Sequence, residues 1–395
     1  MSTWSLERLV DPISSEEFFN SYFESQKLLV RRNRPNYFDE LLTLNDVDRI
    51  ITNQESRYRD IIVTNAASQI EKSDYIYPDK AETVRADQVF RLHHDGATVI
   101  LNQLQKRHRP LAQLCSALEL EFSAGFQTNV YLTPATSQGF NPHLDTHDVI
   151  VLQVAGSKRW QIYGTPIPLA VRAHDPVVRQ PEPGPVAEEF DLRAGDTLYI
   201  PRGLVHEAVS TDETSLHITV GVMASTWFDF LVEAVESLAA SDVELRTALP
   251  RSFATNGRMP ESVRQKFESL AGRLSTADIE PVWRRLTERF IDRRSPHLHR
   301  QLDAVTFLQK VGLDSVVGRR PFLTYLIDEG SDTINLRFHH QEMSLPAHVN
   351  EALRHALETD RFRVGDLPGN LDDEGKVVLV RRLVREGLLQ PLNQD

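Results

Sequence analysis

The sequence predicts an α+β protein built around a barrel or sandwich of short antiparallel strands, with helices before and after it. Three observations support this fold class. After Phe122, short segments rich in β-branched and aromatic residues follow one another closely, separated by Gly, Pro and Ser. Before Phe122 and after residue 225, apolar residues recur at helical spacing. The composition, 41% hydrophobic and 25% charged, is that of a globular chain able to bury a sizeable core.

The N-terminal part predicts helices that lead into these strands. The segment "PISSEEFFNSYFESQKLLVRR" predicts a capped amphipathic helix followed by a strand, and "TLNDVDRIIT" predicts a short helix capped by Thr43 or Asn45. The segment "ATVILNQLQKRHRPLAQLCSALELEF" has apolar residues at helical spacing, interrupted at Pro110. The strands are predicted in the segments "QTNVYLTP", "VIVLQVAG", "KRWQIYG", "TLYIP", "HEAVST" and "LHITVGV".

The pattern of predicted strands and helices changes at two points along the chain, which predicts three domains. Residues 1–225 contain the N-terminal helices and the strands. Residues 226–300 lose the strand pattern and predict amphipathic helices such as "IEPVWRRLTERFIDRR". Residues 301–395 alternate short strands with helices, a pattern that resembles a winged-helix module.

Charge and cysteine content limit the partners and the compartment. The chain has 44 Lys and Arg against 56 Asp and Glu, a formal net charge of -12, so we expect no direct DNA binding and no anionic membrane partner. A single cysteine, Cys115, excludes an internal disulfide framework and a cysteine-rich zinc site. The N-terminus has no apolar signal core and no apolar run is long enough for a bilayer. We therefore expect a cytoplasmic protein.

The segment "NPHLDTHD" (141–148) raises the question of a metal site. In an extended segment, His143 and Asp145 project to the same face. His206, which follows the apolar segment "TLYIP", supplies a third candidate from another strand. Two His and one carboxylate on one side of a metal form the facial triad of non-haem Fe(II) oxygenases. A lone H-x-D also fits a polar surface turn, so the prediction depends on His206.

Two further patterns favour the oxygenase interpretation. The run "GDTLYIPRGLVH", a Gly-Asp turn, an apolar strand and Pro-x-Gly before a His, has the layout of a cupin-type double-stranded β-helix barrel. An Fe(II) oxygenase of this kind commonly uses 2-oxoglutarate, whose far carboxylate needs a buried cation. If Lys158 begins a strand, Lys158, Trp160 and Ile162 share one face and Arg159 lies on the other. Both cations also fit a solvated turn beside Gly156.

The stretch 129–166, "NVYLTPATSQGFNPHLDTHDVIVLQVAGSKRWQIYGTP", resembles the core of the JmjC ribosomal oxygenases. Residues 18–51 and 95–119 are similar to the N-terminal elements of that family. The family consists of a JmjC barrel, a helical dimerisation region and a C-terminal winged helix, which matches the three predicted domains in order. The resemblance implies a homodimeric enzyme that uses Fe(II), 2-oxoglutarate and O2 to hydroxylate a His or Arg side chain of a ribosomal protein.

The resemblance also assigns roles to individual residues. His143, Asp145 and His206 match the iron ligands, and Lys158 matches the residue that pairs with the far carboxylate of 2-oxoglutarate. Tyr131 and Asn129, two residues apart on the preceding strand, match polar pocket residues and are predicted to bind the cosubstrate. His217 is expected to line or support the barrel.

The sequence departs from the family pattern beside the H-x-D. Leu144 stands where Tyr is frequent, and Thr146, His147 and Asp148 follow where an acidic residue is typical. These positions are predicted to lie near the mouth of the site, where the substrate enters. Two other functions stay open on sequence grounds: the same chemistry on a precursor peptide or small metabolite, and a non-catalytic metal-binding cupin.

Overall fold

The structure, a computed structural model, describes residues 4–78, 80–174, 182–251, 253 and 259–392. The chain divides into two compact units, Met1–Ala224 and Ser225–Asp395. Each unit has its own buried apolar core.

The first unit contains two antiparallel sheets. Its strands are β1 (Leu28–Val30), β2 (Ile61–Thr64), β3 (Thr98–Leu101), β4 (Gly125–Thr133), β5 (Asp148–Ala155), β6 (Ser157–Ile162), β7 (Glu188–Arg193), β8 (Thr197–Ile200), β9 (His206–Ser210) and β10 (Ser215–Met223). The larger sheet has seven strands in the order β1-β8-β5-β10-β4-β3-β2, and the smaller has the order β7-β6-β9. Every pairing in both sheets is antiparallel, as the strand pattern predicts.

Alternation along the strands gives the larger sheet two different faces. On β10, Leu216, Ile218 and Val220 point into the core under the N-terminal helices. The intervening His217 and Thr219 line a pocket between the two sheets. Because side chains alternate with a period of two, each central strand contributes both to the core and to the pocket.

The N-terminal helices cover the outer face of the larger sheet. They are α1 (Leu6–Val10), α2 (Ser15–Ser21), α3 (Leu44–Asn53), α4 (Ala86–His94) and α5 (Arg109–Phe122). Thr43, not Asn45, is the N-cap of α3: its Oγ1 accepts the Asp46 N–H at 3.2 Å, and the Asp46 carboxylate accepts the Thr43 N–H in return. This reciprocal pair satisfies two amides that have no partner inside the helix.

One predicted helix is shorter than its apolar spacing suggests. Residues 98–101 form strand β3, which pairs with β2 and β4, and α5 begins only at Arg109. The helical prediction for the start of "ATVIL" was therefore wrong. Thr98, Val99 and Ile100 are β-branched and fit between two strands, and Pro110 lies in the first turn of α5, where its missing N–H costs nothing.

The second unit begins with helices. They are α6 (Trp227–Ser241), α7 (Glu261–Ser275) and α8 (Glu280–Arg293). Glu233 on α6 is buried and accepts hydrogen bonds from Arg285, at 2.7 Å, and from Arg289, both on α8. This pairing joins the two helices through one carboxylate.

Helices and short strands alternate in the remainder of the second unit. These elements are α9 (Gln301–Lys310), β11 (Val316–Arg319), β12 (Leu326–Glu329), β13 (Thr333–Phe338), β14 (Gln341–Pro346), α10 (Asn350–Glu358), β15 (Phe362–Arg363), α11 (Asp373–Arg385) and β16 (Leu389–Pro391). The strands form two three-stranded antiparallel sheets, β15-β11-β16 and β12-β13-β14. Within the described residues of the whole chain, no helix is both long and apolar enough to cross a bilayer.

Candidate metal centre

The H-x-D segment lies antiparallel to the segment that precedes β9. His143 and His206 exchange both backbone hydrogen bonds, with N···O distances of 3.1 and 2.9 Å. The Gly203 N–H donates to the Asp145 carbonyl at 2.9 Å. The backbone therefore brings residues from distant parts of the sequence to one place.

The side chains of His143, Asp145 and His206 form the only cluster of potential metal-binding residues found in the described part of the chain, with one ligand atom of each within 4.8 Å of the others. His206 Nε2 lies 3.8 Å from Asp145 Oδ2, and the centroids of the two imidazoles are 4.6 Å apart. Three donors on one side of a common centre, two nitrogens and one carboxylate, form a facial set.

Both imidazoles are oriented by the same kind of hydrogen bond to a backbone carbonyl. His143 Nδ1 contacts the Asn141 carbonyl at 2.9 Å, and His206 Nδ1 contacts the Leu204 carbonyl at 3.0 Å. Because a carbonyl only accepts, Nδ1 of each ring carries a proton, and Nε2 is the ring nitrogen left to bind a metal. A backbone acceptor of this kind fixes the tautomer and the orientation of a metal-binding histidine.

The protonation of His206 also suits metal binding. Burial lowers the pKa of His206 to about 4, and the neighbouring His143 lowers it as well. The imidazole is therefore neutral near pH 7, which is the form that donates to a metal.

Lys158 lies on β6 in the same pocket as the three side chains. It is only 4% exposed, and its Nζ has no hydrogen-bonding or ion-pair partner within the described residues. Burial lowers the pKa of Lys158 to about 7. Arg159 lies on the opposite face of β6, is exposed, and pairs with Asp191 at 3.0 Å. The pleat of the strand thus puts Lys158 in the pocket and Arg159 on the outer face.

Tyr131 and Asn129 are placed differently, although both lie on β4. Tyr131 lines the pocket and stacks on His217, with ring centroids 4.7 Å apart and planes 7° apart. Asn129 is not among the lining residues: its Oδ1 accepts the Gln103 N–H at 3.0 Å, and its side chain also bonds to Tyr131. Burial raises the pKa of Tyr131, so the phenol is protonated.

Comparison with known proteins identifies the domain that carries this centre. Residues 99–230 match the sequence model of the JmjC domain. The chain contains a JmjC domain. The resemblance drawn from the H-x-D region is thereby confirmed, and so is the JmjC and cupin type of fold. The matched range includes every predicted site residue.

Curated relatives are named as ribosomal oxygenases and as hydroxylases. The chain is 34% identical over 273 residues to ribosomal oxygenase 2 of Rattus norvegicus, covering 66% of this chain and 57% of the relative. It is 33% identical over 258 residues to the bifunctional lysine-specific demethylase and histidyl-hydroxylase NO66 of Dictyostelium discoideum, covering 62% of this chain and 49% of the relative. The chain thus spans about half of the length of these relatives.

Solved structures with the same fold cover almost the whole chain. The crystal structure of the Escherichia coli ribosomal oxygenase YcfD aligns with a TM-score of 0.57 and 17% identity, covering 99% of this chain and all (100%) of that one. The same protein in complex with cobalt and 2-oxoglutarate aligns with a TM-score of 0.55 and 16% identity, covering 96% and 98%. At this level of identity the likeness concerns the fold.

Several residues that line the pocket were not predicted. Thr98, Phe140 and Thr219 line the pocket, as does Trp160. Trp160 could be found from the sequence because it shares the face of Lys158. Thr98 was hidden by the helical interpretation of its segment, and Phe140 lies in a loop without any periodicity.

The residues that depart from the family pattern are not together at the mouth of the JmjC pocket. Asp148 is fully buried and pairs with Arg202 at 2.5 Å. The His147 ring lies against Gly221 on β10, so close that a Cβ at that glycine would be 2.8 Å from Cδ2. The expectation that Asp148 lies near the mouth was wrong: β5 starts at this residue and its carboxylate points into the protein.

Proposed function

We propose that this chain is an Fe(II)- and 2-oxoglutarate-dependent oxygenase that hydroxylates a His or Arg side chain of a ribosomal protein. One observation carries the proposal: the facial set of His143, Asp145 and His206 shares its pocket with Lys158, a buried cation for which no partner exists in the described chain. An uncompensated buried cation is costly unless an anion is bound there. A metal site and an anion site in one pocket match a cosubstrate that chelates metal at one end.

The donor set fits iron. Two imidazoles and one carboxylate on one side leave further coordination positions open, which is the arrangement used by non-haem Fe(II) oxygenases. His143, Asp145 and His206 would hold the metal. Both Nε2 atoms are free to donate because the backbone carbonyls of Asn141 and Leu204 occupy Nδ1.

The remainder of the pocket fits 2-oxoglutarate. Lys158 would neutralise the far carboxylate. Trp160 Nε1 and His217 Nδ1 are buried atoms without a hydrogen-bonding partner in the described residues, so they are available to a polar ligand. Tyr131 contributes a protonated phenol beside His217. Asn129 acts through Tyr131, whose ring it holds by a hydrogen bond.

Held by His143, Asp145 and His206, iron would supply, together with 2-oxoglutarate and O2, the oxidising power for hydroxylation of an unactivated C–H bond, with succinate and CO2 as co-products. The residues of the chain bind and orient the cosubstrate and exclude water from the pocket. Lys158 would hold the far carboxylate of the cosubstrate, and Val149 and Val151 keep the wall of the pocket apolar. Phe140, which is 43% exposed and 5.7 Å from the His143 ring, marks the side from which a substrate side chain enters.

The relatives support the substrate class. The rat relative is named ribosomal oxygenase 2, and the Dictyostelium relative is named as a histidyl-hydroxylase. YcfD, which shares the fold over nearly its full length, is titled a ribosomal oxygenase and binds cobalt and 2-oxoglutarate. A ribosomal protein is therefore the substrate that we propose for this chain.

Two measurements test the activity and the substrate. Purified protein with Fe(II) should release succinate from 2-oxoglutarate, and Asp145→Ala and Lys158→Ala should abolish the release. Arg159→Ala is the matched control, because Arg159 is adjacent to Lys158 but lies on the outer face. Mass spectrometry of ribosomal proteins from a deletion strain should show the loss of one +16 Da modification. Turnover without such a loss would indicate a precursor peptide or metabolite, and no turnover would indicate a non-catalytic cupin.

We also propose a homodimer formed through the helices of residues 226–300. α6 exposes large apolar side chains, with Trp227 79%, Phe228 60% and Leu231 52% exposed. An apolar helix face of this kind is a typical interaction surface. Light scattering after size exclusion should give twice the chain mass, and Trp227→Ser with Leu231→Ser should shift it to the monomer. A monomeric wild type would refute the dimer.

We retain the three-domain division at residues 225 and 300 and the winged-helix assignment of residues 301–395 as proposals. The alternation of helices with two small antiparallel sheets supports the winged-helix assignment. The formal net charge of -12 of the whole chain supports a role of this module in structure or protein docking, and not in DNA binding. A cytoplasmic location follows from the ribosomal substrate and is tested by fractionation.

A further inference from the structure

Two loops carry the metal-binding side chains, and their backbone pairing is incomplete. Residues 143–148 lie antiparallel to residues 202–206, with backbone hydrogen bonds at His143 and His206 and from Gly203 to Asp145. The chain then bends at Thr146 and His147 before β5 starts at Asp148. At this bend the backbone ladder stops.

Side chains replace the ladder directly beyond the bend. Asp148 Oδ1 accepts the Arg202 N–H at 3.3 Å, and Asp148 Oδ2 accepts Arg202 Nη1 at 2.5 Å. Tyr199 donates its hydroxyl to Asp148 Oδ1 at 2.9 Å. The carboxylate therefore holds both the backbone and the guanidinium of the residue that precedes Gly203.

A segment of the N-terminal region closes this network into a ring. Arg202 Nη2 pairs with Glu24 Oε1 at 2.6 Å, and the Glu24 N–H donates to the Tyr199 hydroxyl at 2.8 Å. Glu24 has a φ of 57°, a left-handed conformation that a non-glycine residue adopts at some cost. The Arg202 side chain is 7% exposed, so the guanidinium is confined between two carboxylates.

The bend itself is accommodated by Gly221. The His147 ring lies where a β-carbon on residue 221 would be, 2.8 Å from Cδ2. This contact lets the chain turn into β5 without moving away from β10. The position of Asp145 is thus determined by Gly203 on one side and by the anchored bend on the other.

We infer that Asp148 and Arg202 are positioning residues of the metal centre. By locking loop 202–206 to the start of β5, they keep Asp145 and His206 at the separation needed to bind one ion. Glu24 supports the pair from outside. Loss of the pair releases Gly203, and with it the only backbone contact of Asp145 to the opposite loop that the described structure contains. The inference rests on the proposed function only in that the triad binds a metal.

The test is the affinity for Co²⁺, measured by titration calorimetry, together with the ligand-field spectrum of the bound Co²⁺. Arg202→Gln and Asp148→Asn should weaken Co²⁺ binding roughly tenfold, as the loss of outer hydrogen-bonding partners does at other metal sites. The spectrum should also change, because the geometry of the donors changes. Arg202→Lys, which keeps the charge but loses the fork of two N–H groups, should restore the affinity only in part.

Asp196→Asn is the matched control. Asp196 is a buried carboxylate at the other end of β8, where it accepts the N–H groups of Arg32 and Arg193. The control should lower the melting temperature and leave the Co²⁺ affinity and spectrum unchanged. An Arg202→Gln or Asp148→Asn protein that is folded by circular dichroism and binds Co²⁺ like the wild type overturns the inference.

Two further results separate the possible failures. If the wild type itself binds no Co²⁺, both the proposed function and the positioning role are wrong. If both substitutions prevent folding, Arg202→Lys decides, because it keeps the charge but loses the fork of N–H groups that contacts both Asp148 and Glu24. A weaker Co²⁺ affinity in Arg202→Lys supports the inference, and an affinity equal to that of the wild type contradicts it.

Discussion

His143 and His206 face each other across a single β-bridge, with both backbone hydrogen bonds formed and their ring centroids 4.6 Å apart. The bridge holds two imidazoles close together before any ion binds. Burial and the neighbouring ring lower the pKa of His206 to about 4, so this imidazole is neutral near pH 7. The site is therefore preformed for a cation.

A preformed site predicts a strong thermal response to metal. A free Co²⁺ concentration of one hundred times Kd should stabilise the folded protein by about 2.7 kcal/mol and raise the melting temperature of the first unit by roughly 5 to 10 °C. His143→Ala and His206→Ala should lose this rise, and His174→Ala, outside the cluster, should keep it. Differential scanning calorimetry with and without Co²⁺ measures the effect. An equal rise in the His206→Ala protein would contradict the assignment.

Lys158 predicts a pH-dependent stability. Without a bound anion, burial lowers the pKa of Lys158 from 10.5 to about 7. Between these two pH values the unfolded state binds a proton that the folded state does not. The buried lysine therefore lowers the free energy of unfolding by its full amount below pH 7, and this loss of stability disappears as the pH rises towards 10.5. Lys158→Met should therefore be more stable than the wild type by a few kcal/mol at pH 6, and the difference should shrink at pH 9.

Urea denaturation at both pH values measures this difference. Arg159→Met is the control: its charge lies on the outer face beside Asp191, so the stability difference should not follow the same pH range. Addition of 2-oxoglutarate should stabilise the wild type and leave Lys158→Met unaffected. A difference between Lys158→Met and wild type that does not change with pH would show that the ammonium is compensated.

The capping box of α3 predicts a stability difference between two neighbouring residues. Thr43→Ala should lower the free energy of unfolding by about 1 kcal/mol, because the Asp46 N–H loses its acceptor. Asn45→Ala should leave it nearly unchanged, since Asn45 lies inside the helix and does not cap it. Chemical denaturation of the two variants compares them directly. An equal loss in both would exclude Thr43 as the specific cap.

The contact between His147 and Gly221 predicts a coupled pair of substitutions. Gly221→Ala places a β-carbon 2.8 Å from His147 Cδ2 and should cost roughly 1 to 3 kcal/mol through overpacking. In the His147→Ala background the same substitution should cost much less, because the ring that it meets is gone. A double-mutant cycle on the free energy of unfolding measures the coupling. Additive effects would show that the ring is not the obstacle.

Much of the fold and of the site could be predicted because its signals are local. Alternation of apolar residues predicts the strands, and the spacing of His143 and Asp145 places two donors on one face. The face argument places Lys158 and Arg159 on opposite sides of the strand, and the resemblance to the family selects Lys158. Patterns of this kind depend only on the geometry of the extended chain, which is the same in every sheet.

Other features depend on contacts between distant segments. Val99 and Ile100 have apolar spacing compatible with a helix, and they form a strand because β2 and β4 lie on either side. Asp148 belongs to a polar run and was expected near the mouth, but Arg202 and Glu24 draw it into a buried ring. Asn129 shares the face of Tyr131, yet the Gln103 amide occupies its side chain.

The sequence by itself determined the type of fold, and it predicted the three donors and the accompanying cation from residue chemistry, a period of two and the resemblance to a known family. Only the tertiary structure decided which atoms meet. The approach of His206 to His143, the burial of Lys158 and the ring around Arg202 arise from antiparallel pairing of segments far apart in the chain. Burial then changes the pKa of His206 and Lys158, and no local pattern contains that desolvation.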